Sequence, residues 1–469
     1  MPPLKPNLTK AKALIDSHQF ELSEFWAKTD EFALPSMSVI SHSIICAEIA
    51  TLLLSFKTEE FRSANYLKYL SLFASLHDVG KIVPAFQIKC EYWAKKYKIS
   101  SQNYICQYDA RHSSYSKEIV LKEYKDTQAF ENWADVVGSH HGFLSNEVNL
   151  NNIASSWEKY RSEFVEYFKK IYGNFPLELN ENKISNEISY LITGIITFAD
   201  WLASDVDLFP VKNYTMQEAK LIIKDKLLNS DFKNKILCDF KKLDNDDIFD
   251  FPLNSLQLAA LDSYKGRGIY LIEAPMGMGK TEASLLLAYK LISEKKASGI
   301  YFALPTQLTS NVIYGRLNSF LKEVSIQSST ANLIHSASWI EEIYEGKSDL
   351  SSWFNSSKKA LLSSFGVGTI DQALMMLLPV KHWHLRYYGL SDKVVILDEI
   401  HSYDAYTSTL IKRLISHLEE MGATVIILSA TLTKTQRAKL LNTESIATLD
   451  SAKFPSIIYR TKRMFILKI

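Results

Sequence analysis

Several things are scarce in this chain, and each scarcity excludes a class. There are four cysteines, Cys46, Cys90, Cys106 and Cys238, and no Cys-x-x-Cys pair. That excludes a disulfide scaffold or a zinc-finger framework, and the four read as buried thiols in a reducing compartment. Neither sign of charge is in surplus: 53 Lys+Arg stand against 52 Asp+Glu, a formal net charge of +1. Proteins that coat nucleic acid by global attraction carry a basic excess, so any such site here has to be a local groove. No apolar run approaches the ~18 residues of a membrane span, and the N-terminal MPPLKPNLTKAKALIDSHQF lacks the apolar stretch of a secretion signal. Internal repeats and low-complexity tracts are missing as well. The expectation is a cytoplasmic protein with no membrane partner.

What is present suits large cores. Of the 469 residues 47% are hydrophobic, with 24 Tyr, 24 Phe and 8 Trp. At ~150 residues per domain the length predicts two or three units. Two textures divide the chain. The stretches 41–56, 65–82 and 185–204 carry apolar residues at three- and four-residue spacing and predict helices. From Pro252 onward GIYLIEAP, GIYFALP, KVVILDEI and ATVIILSAT are short apolar runs of the kind that form buried parallel strands, and helical segments separate them. The expected division is an all-α domain over 1–215, a polar linker over 216–250 holding one helix (217–229), and an α/β domain over 251–469.

The first chemistry-bearing motif is GIYLIEAPMGMGKTEASLLLAYK (268–290), a strand, a Gly-containing loop and a helix in that order. Gly277 and Gly279 let the loop turn N–H groups toward an anion, and the helix N-terminus adds its positive dipole end. Lys280 would reach the β- and γ-phosphates of ATP, and the Thr281 hydroxyl would hold Mg²⁺. Ala274 occupies the position where the motif usually has glycine. A second motif, KVVILDEIHSYD, puts Asp398 and Glu399 at the end of a buried strand. There they need a cationic partner, Asp398 for Mg²⁺ and Glu399 for the attacking water.

A third constellation lies in the helical half. His77 and Asp78 are adjacent, so both can face one site only at a helix end or edge. Lys81 follows one turn later and could hold a phosphate. His42, His112, His140, His141 and Asp200 complete the set. Asp200 sits in an otherwise apolar helix and requires a charged partner. The order of these residues resembles that of HD-type metallohydrolases. Mixed imidazole and carboxylate ligation suits two divalent transition ions such as Fe, Mn, Ni or Co. One would take His42, His77, Asp78 and Asp200, and the other Asp78, His112, His140 and His141.

Further strings complete a resemblance. Asp398-Glu399-Ile400-His401 with Ser429-Ala430-Thr431 resembles the DExH box and the coupling motif of superfamily 2 helicases. ALPTQLTSN (303–311) and VGTIDQA (367–373) resemble their nucleic-acid-contacting motifs, which implies backbone phosphate contacts from Thr306, Thr309, Asn311 and Thr369. Gln257 stands where such enzymes read adenine. An HD metal domain ahead of a DExH core is similar to the CRISPR-associated nuclease-helicases of type I systems, over roughly residues 35–435.

The resemblance implies an all-α HD metallohydrolase domain followed by an α/β RecA-like (P-loop) helicase lobe. It also implies metal-dependent cleavage of single-stranded DNA, with Asp78, Lys81 and Glu399 as catalytic residues, and ATP-driven 3′ to 5′ translocation. The implied partners are the displaced strand of an R-loop and a crRNA-guided surveillance complex (Cascade). A second RecA-like lobe with its arginine finger is expected beyond Thr431 and is not found, so a separate chain could supply it. Two other readings stay open: an HD phosphohydrolase for nucleotides fused to an ATPase lobe, and a non-catalytic remnant docked on the surveillance complex.

Overall fold

The computed structural model describes residues 19–97, 111–124, 130–143, 157–175, 184–237, 239–327, 329–334, 354, 359–441, 454–461 and 464–468. Two compact units emerge. One comprises residues 1–54 and 64–226, the other residues 55–63 and 227–469.

Among the described residues the first unit is helical apart from one hairpin, β1 (Trp26–Thr29) antiparallel to β2 (Pro35–Ser38). α1 (Val39–Ser55), α2 (Leu70–Leu76), α3 (His112–Glu123), α4 (Glu131–Gly138), α5 (Glu158–Tyr172) and α6 (Asn186–Ala203) form the frame. α6 is capped by Ser185, whose side chain accepts from Ile188 N–H, and is buried along nearly its whole length. α1 is also mostly buried, so neither helix is a surface element. The stretch 65–82, expected as one helix, is broken. A 3₁₀ segment (Asn65–Tyr69) leads into α2, and a second one (Val79–Lys81) follows it. An aromatic cluster fills the adjoining core, with Phe73 stacked on Trp133 at 4.4 Å. Within the segment read as a linker with one helix at 217–229, α7 (Met216–Ile223) has a Thr215–Glu218 capping box and runs into a π turn at Lys224–Leu228.

The second unit is a three-layer α/β structure. In chain order it contains α8 (Ser255–Ser263), β3 (Ile269–Glu273), α9 (Lys280–Ser293), β4 (Ile300–Leu304), α10 (Gln307–Val324), β5 (Asn332–Ile334), β6 (Phe365–Thr369), β7 (Val394–Leu397), α11 (Ala405–Glu420), β8 (Thr424–Ser429), α12 (Lys434–Leu440), β9 (Ser456–Thr461) and β10 (Met464–Lys468). The sheet order is β10-β9-β3-β8-β7-β4-β6-β5. Strands β3 to β8 run parallel, and β9 and β10 add antiparallel at the β3 edge. The central strands are buried on both faces, as their unbroken apolar runs require. Residues 55–63 join this unit through Thr58, whose N–H and hydroxyl donate to the Asp392 carboxylate at 2.7 and 2.8 Å. Cys46 and Cys90 are buried free thiols, while Cys106 and Cys238 lie outside the described residues. Among the described residues no helix is long and apolar enough to cross a membrane.

Candidate metal centre and nucleotide site

In the helical unit the break after α2 makes the first site. The helix ends at Leu76, so His77 and Asp78 lie at its C-terminus, where both side chains can turn to one side. Gly80 lets this turn press against α3. A Cβ there would meet His112 O at 2.0 Å and Ser116 N at 2.5 Å. The Gly80 N–H instead donates to Ser116 Oγ at 2.8 Å, and the start of α3 brings His112 to Asp78.

Asp78 sorts the remaining residues into two groups. Its Oδ2 faces His42 Nε2 at 3.5 Å, His77 Nε2 at 3.4 Å and Lys81 Nζ at 2.6 Å. Its Oδ1 faces His112 Nε2 at 3.2 Å and His140 Nε2 at 3.8 Å. Asp200, from α6, approaches the first group, 3.0 Å from His42 Nε2 and 3.7 Å from His77 Nε2. His141 joins the second, its Nε2 2.8 Å from that of His112. Two sets of donor atoms are compact enough to hold an ion: His42, His77 and Asp78, and His112, His140 and His141. All seven ligand-type residues named from the sequence therefore meet in one place.

The donor chemistry fits cations. His77 Nδ1 contacts Ala74 O at 2.7 Å and His140 Nδ1 contacts Val137 O at 2.8 Å. A carbonyl only accepts, so both Nδ1 atoms carry hydrogen, and the neutral His140 ring turns its Nε2 lone pair toward Asp78. Both Nε2 atoms are buried with no hydrogen-bond partner. A lone pair aimed at a carboxylate calls for a positive charge between them. Burial pushes His42 and His112 down to about 4, and His140 and His141 down to about 3. Those four rings are neutral, as metal ligation requires. His77 behaves differently. Burial opposes its charge, but Asp78 and Asp200 outweigh it and hold the ring well above its usual value. Burial likewise works against the charge on Asp78 and Asp200, yet Lys81 and His77 beside Asp78, and His42 and His77 beside Asp200, hold both carboxyls well below their usual range.

Two residues of this neighbourhood escaped the sequence reading. Lys28 on β1 donates to Ser204 Oγ at 2.6 Å, and Ser204 donates to Asp200 Oδ1 at 3.1 Å. Ser204 stands one helical turn after Asp200, a spacing that could have drawn notice. Lys28 has no comparable mark.

In the α/β unit the loop between β3 and α9 borders a cavity of about 410 Å³. Gly277, Gly279, Lys280, Thr281, Thr309, Asp398 and Glu399 line it, together with Arg316. Lys280 Nζ donates to the carbonyls of Ala274 and Pro275 at 2.8 and 3.1 Å, which holds the loop curled around its own cation. Burial and the neighbouring Glu399 push Asp398 up to about 6. Glu399 itself has φ +52, a conformation that costs a side chain about 1–2 kcal/mol and clusters at working sites. His401 Nδ1 accepts from Ala430 N–H at 3.4 Å and lies 3.3 Å from Ser429 Oγ. Its Nε2, 3.2 Å from Glu399, therefore carries the hydrogen. One ring thus connects the acidic strand end to the Ser429–Thr431 segment.

Gln257, Thr306, Asn311 and Thr369 do not line the cavity. Gln257 is buried, and its side-chain oxygen accepts from Asn254 N–H at 2.9 Å in a capping box of α8. It packs beneath Gly279 and does not line the cavity. Thr306 caps α10, its hydroxyl accepting from Thr309 N–H. Thr306, Thr309 and Asn311 are exposed, whereas Thr369 is buried at the end of β6. Arg316 was missed, although Thr309, Ile313 and Arg316 share one helical face of α10. The guanidinium pairs with Glu282.

Comparison with known proteins gives the same division. Residues 26–209 match the family model "Cas3, HD domain", and residues 254–439 match "DEAD/DEAH box helicase". The CRISPR-associated endonuclease/helicase Cas3 of Thermus thermophilus is 28% identical over 92% of this chain and 52% of its own length. That of Escherichia coli is 28% identical over 87% of this chain and 53% of its own. The chain spans about half the length of the curated relatives it matches. In fold it is similar to the crystal structure of T. fusca Cas3, with a TM-score of 0.79 at 23% identity over 96% of this chain and 56% of that one. The two family models follow one another in the order of the histidine cluster and the P-loop lobe, and over most of its length the chain is similar to Cas3 nuclease/helicases.

Proposed function

We propose that this chain is a metal-dependent nuclease for single-stranded DNA joined to the ATP-binding lobe of a 3′ to 5′ helicase, acting in type I CRISPR interference. The observation that carries the reading is the convergence of five imidazoles on two buried carboxylates, with Asp78 turning one oxygen to each group. His42, His77, Asp78 and Asp200 would hold one ion, and Asp78, His112, His140 and His141 the other. Bound divalent metal supplies an activated water and charge for the leaving oxygen. Asp78 keeps the two groups in register, and its negative charge holds the Lys81 ammonium at the cluster, where it can meet a phosphate oxygen.

In the second unit Lys280, Thr281 and Asp398 would bind MgATP. Glu399 would orient water, and His401 would pass the state of the nucleotide to Ser429 and Thr431. One solved structure of similar fold is a "CRISPR RNA-guided surveillance complex, pre-nicking", and the proposed partners are such a complex and the displaced strand of its R-loop.

The test is cleavage of labelled single-stranded DNA by the purified chain with Mn²⁺, Co²⁺, Ni²⁺ or Fe²⁺ and without ATP. The expected result is cleavage abolished by EDTA and reduced at least 100-fold by Asp78→Ala. Intact DNA with every metal, or phosphate released from mononucleotides instead, would overturn the reading.

A further inference from the structure

Lys28 has no role in the site as described so far, yet its ammonium stands one hydroxyl away from Asp200. The bonding has a direction. An ammonium only donates, so Ser204 Oγ accepts from Lys28 at 2.6 Å and must send its own hydrogen to Asp200 Oδ1, 3.1 Å away. Among the described residues Ser204 is the single hydrogen-bond partner of the Lys28 side chain, which leaves the remaining ammonium N–H groups unengaged.

The placement is built, because one buried amide registers β1 against the Asp78 turn. Gln87 Oε1 accepts from Trp26 N–H at 3.1 Å. Its Nε2 donates to Trp26 O at 3.0 Å and to Lys81 O at 2.9 Å. Trp26 Nε1 in turn donates to Gln87 O at 2.8 Å. The β1–β2 register shifts on both sides of Lys28, and such irregularities re-aim a side chain.

Exposure is uneven around the cluster. His42, His77 and His140 are fully buried, whereas the Asp200 and His112 side chains retain 11% and 16% exposure. Lys28 and Ser204 are only partly buried, so Lys28 stands at one of two partly open edges, the one beside Asp200, while the other lies at His112 and His141. Charge supplies the last step. The cluster has two carboxylates against five imidazoles, so divalent ions bound there already leave it net positive. A further cation at its mouth repels those ions, and beyond the attraction of Asp200 and Asp78 it gains from an anion that arrives from solvent.

We propose that Lys28 is a substrate-contacting residue that binds a backbone phosphate of the strand entering the metal cluster, its ammonium aimed by Ser204. The inference rests on the nuclease reading given above. A charge-assisted contact of this kind should show in substrate affinity and leave metal affinity intact.

The test compares the full chain with Lys28→Met, Lys28→Arg and Ser204→Ala. Mn²⁺ affinity is measured by calorimetry, and KM and kcat on an oligothymidylate with Mn²⁺. Expected for Lys28→Met are a KM raised about tenfold, a kcat within about threefold, and Mn²⁺ binding as tight as in the parent or tighter. Lys28→Arg should recover most of the KM. Ser204→Ala, which frees the ammonium, should raise KM by about threefold, and it decides the matter alone if Lys28→Met does not fold. An unchanged KM overturns the proposal, as does weaker Mn²⁺ binding in Lys28→Met, which would make Lys28 a support of the metal ligands. A parent chain that binds no Mn²⁺ and cuts nothing sinks the nuclease reading itself.

Discussion

Five histidines around two aspartates make the helical unit sensitive to acid in a direction set by burial. His42 and His112 titrate near 4, and His140 and His141 near 3, in the folded chain, against about 6.5 when unfolded. Below pH 6.5 the unfolded chain takes up protons that the folded cluster refuses, so stability falls with pH from 6.5 toward 4. Asp78 and Asp200 add a loss at still lower pH, because their folded values lie well below the ordinary range. His77 is the opposite case. Its stabilisation is complete below 6.5 and is lost as pH rises through its raised folded value. Four against one decides the sign. At pH 5 each depressed ring costs on the order of 2 kcal/mol, before repulsion between neighbouring rings reduces it. Thermal melts in EDTA should show a progressive loss between pH 6.5 and 5, and Mn²⁺ at pH 7.5 should raise the midpoint. A flat profile would mean that the rings are not buried as a cluster. At this scale the ligand-type residues were legible because His and Asp in apolar helices need partners. Lys28 was not, since a lysine in a short strand is ordinary until the fold brings it to Ser204.

Elements were legible where period and burial agree. The runs that became β3, β4, β7 and β8 are uninterrupted and apolar, and each is a buried strand. β6, FGVGT, carries two glycines and was read only as a contact motif. The β1–β2 hairpin is too short and too polar to stand out in a helical half. The loop after β3 was read correctly as a strand-loop-helix unit, but its dependence on α8 was hidden. Gly279 has φ +78, and a Cβ there would sit 2.5 Å from Gln257 Nε2 and 3.0 Å from Asn254 Nδ2. Those two residues form the capping box of α8. Gly279→Ala therefore combines a left-handed backbone, about 1–2 kcal/mol, with damage to a cap of about 1 kcal/mol. The alternative is a loop that flattens and withdraws its N–H groups. Titration with a fluorescent ATP analogue should show at least a tenfold weaker affinity. Parental affinity in the variant would show that the loop tolerates another conformation.

For the whole molecule, the two units differ in how much of their chemistry lies among the described residues. The proposed metal ligands all belong to the helical unit and are held by its own backbone and side chains, so DNA cleavage should need metal and no nucleotide. The nucleotide cavity offers less. Hydrolysis requires a cation on the charge that develops at the γ-phosphate. Arg316 is the arginine that lines this cavity, and Glu282 neutralises it. Lys280 serves the bound phosphates in ground and transition state alike, and binding both equally does not accelerate the chemical step. The purified chain should therefore bind MgATP and turn it over slowly, with no stimulation by single-stranded DNA. If Glu282 is what disables Arg316, Glu282→Gln should raise basal turnover several-fold without restoring DNA stimulation. Fast, DNA-stimulated release of phosphate by the parent chain would show that this cavity already contains a cation that meets the charge developing at the γ-phosphate.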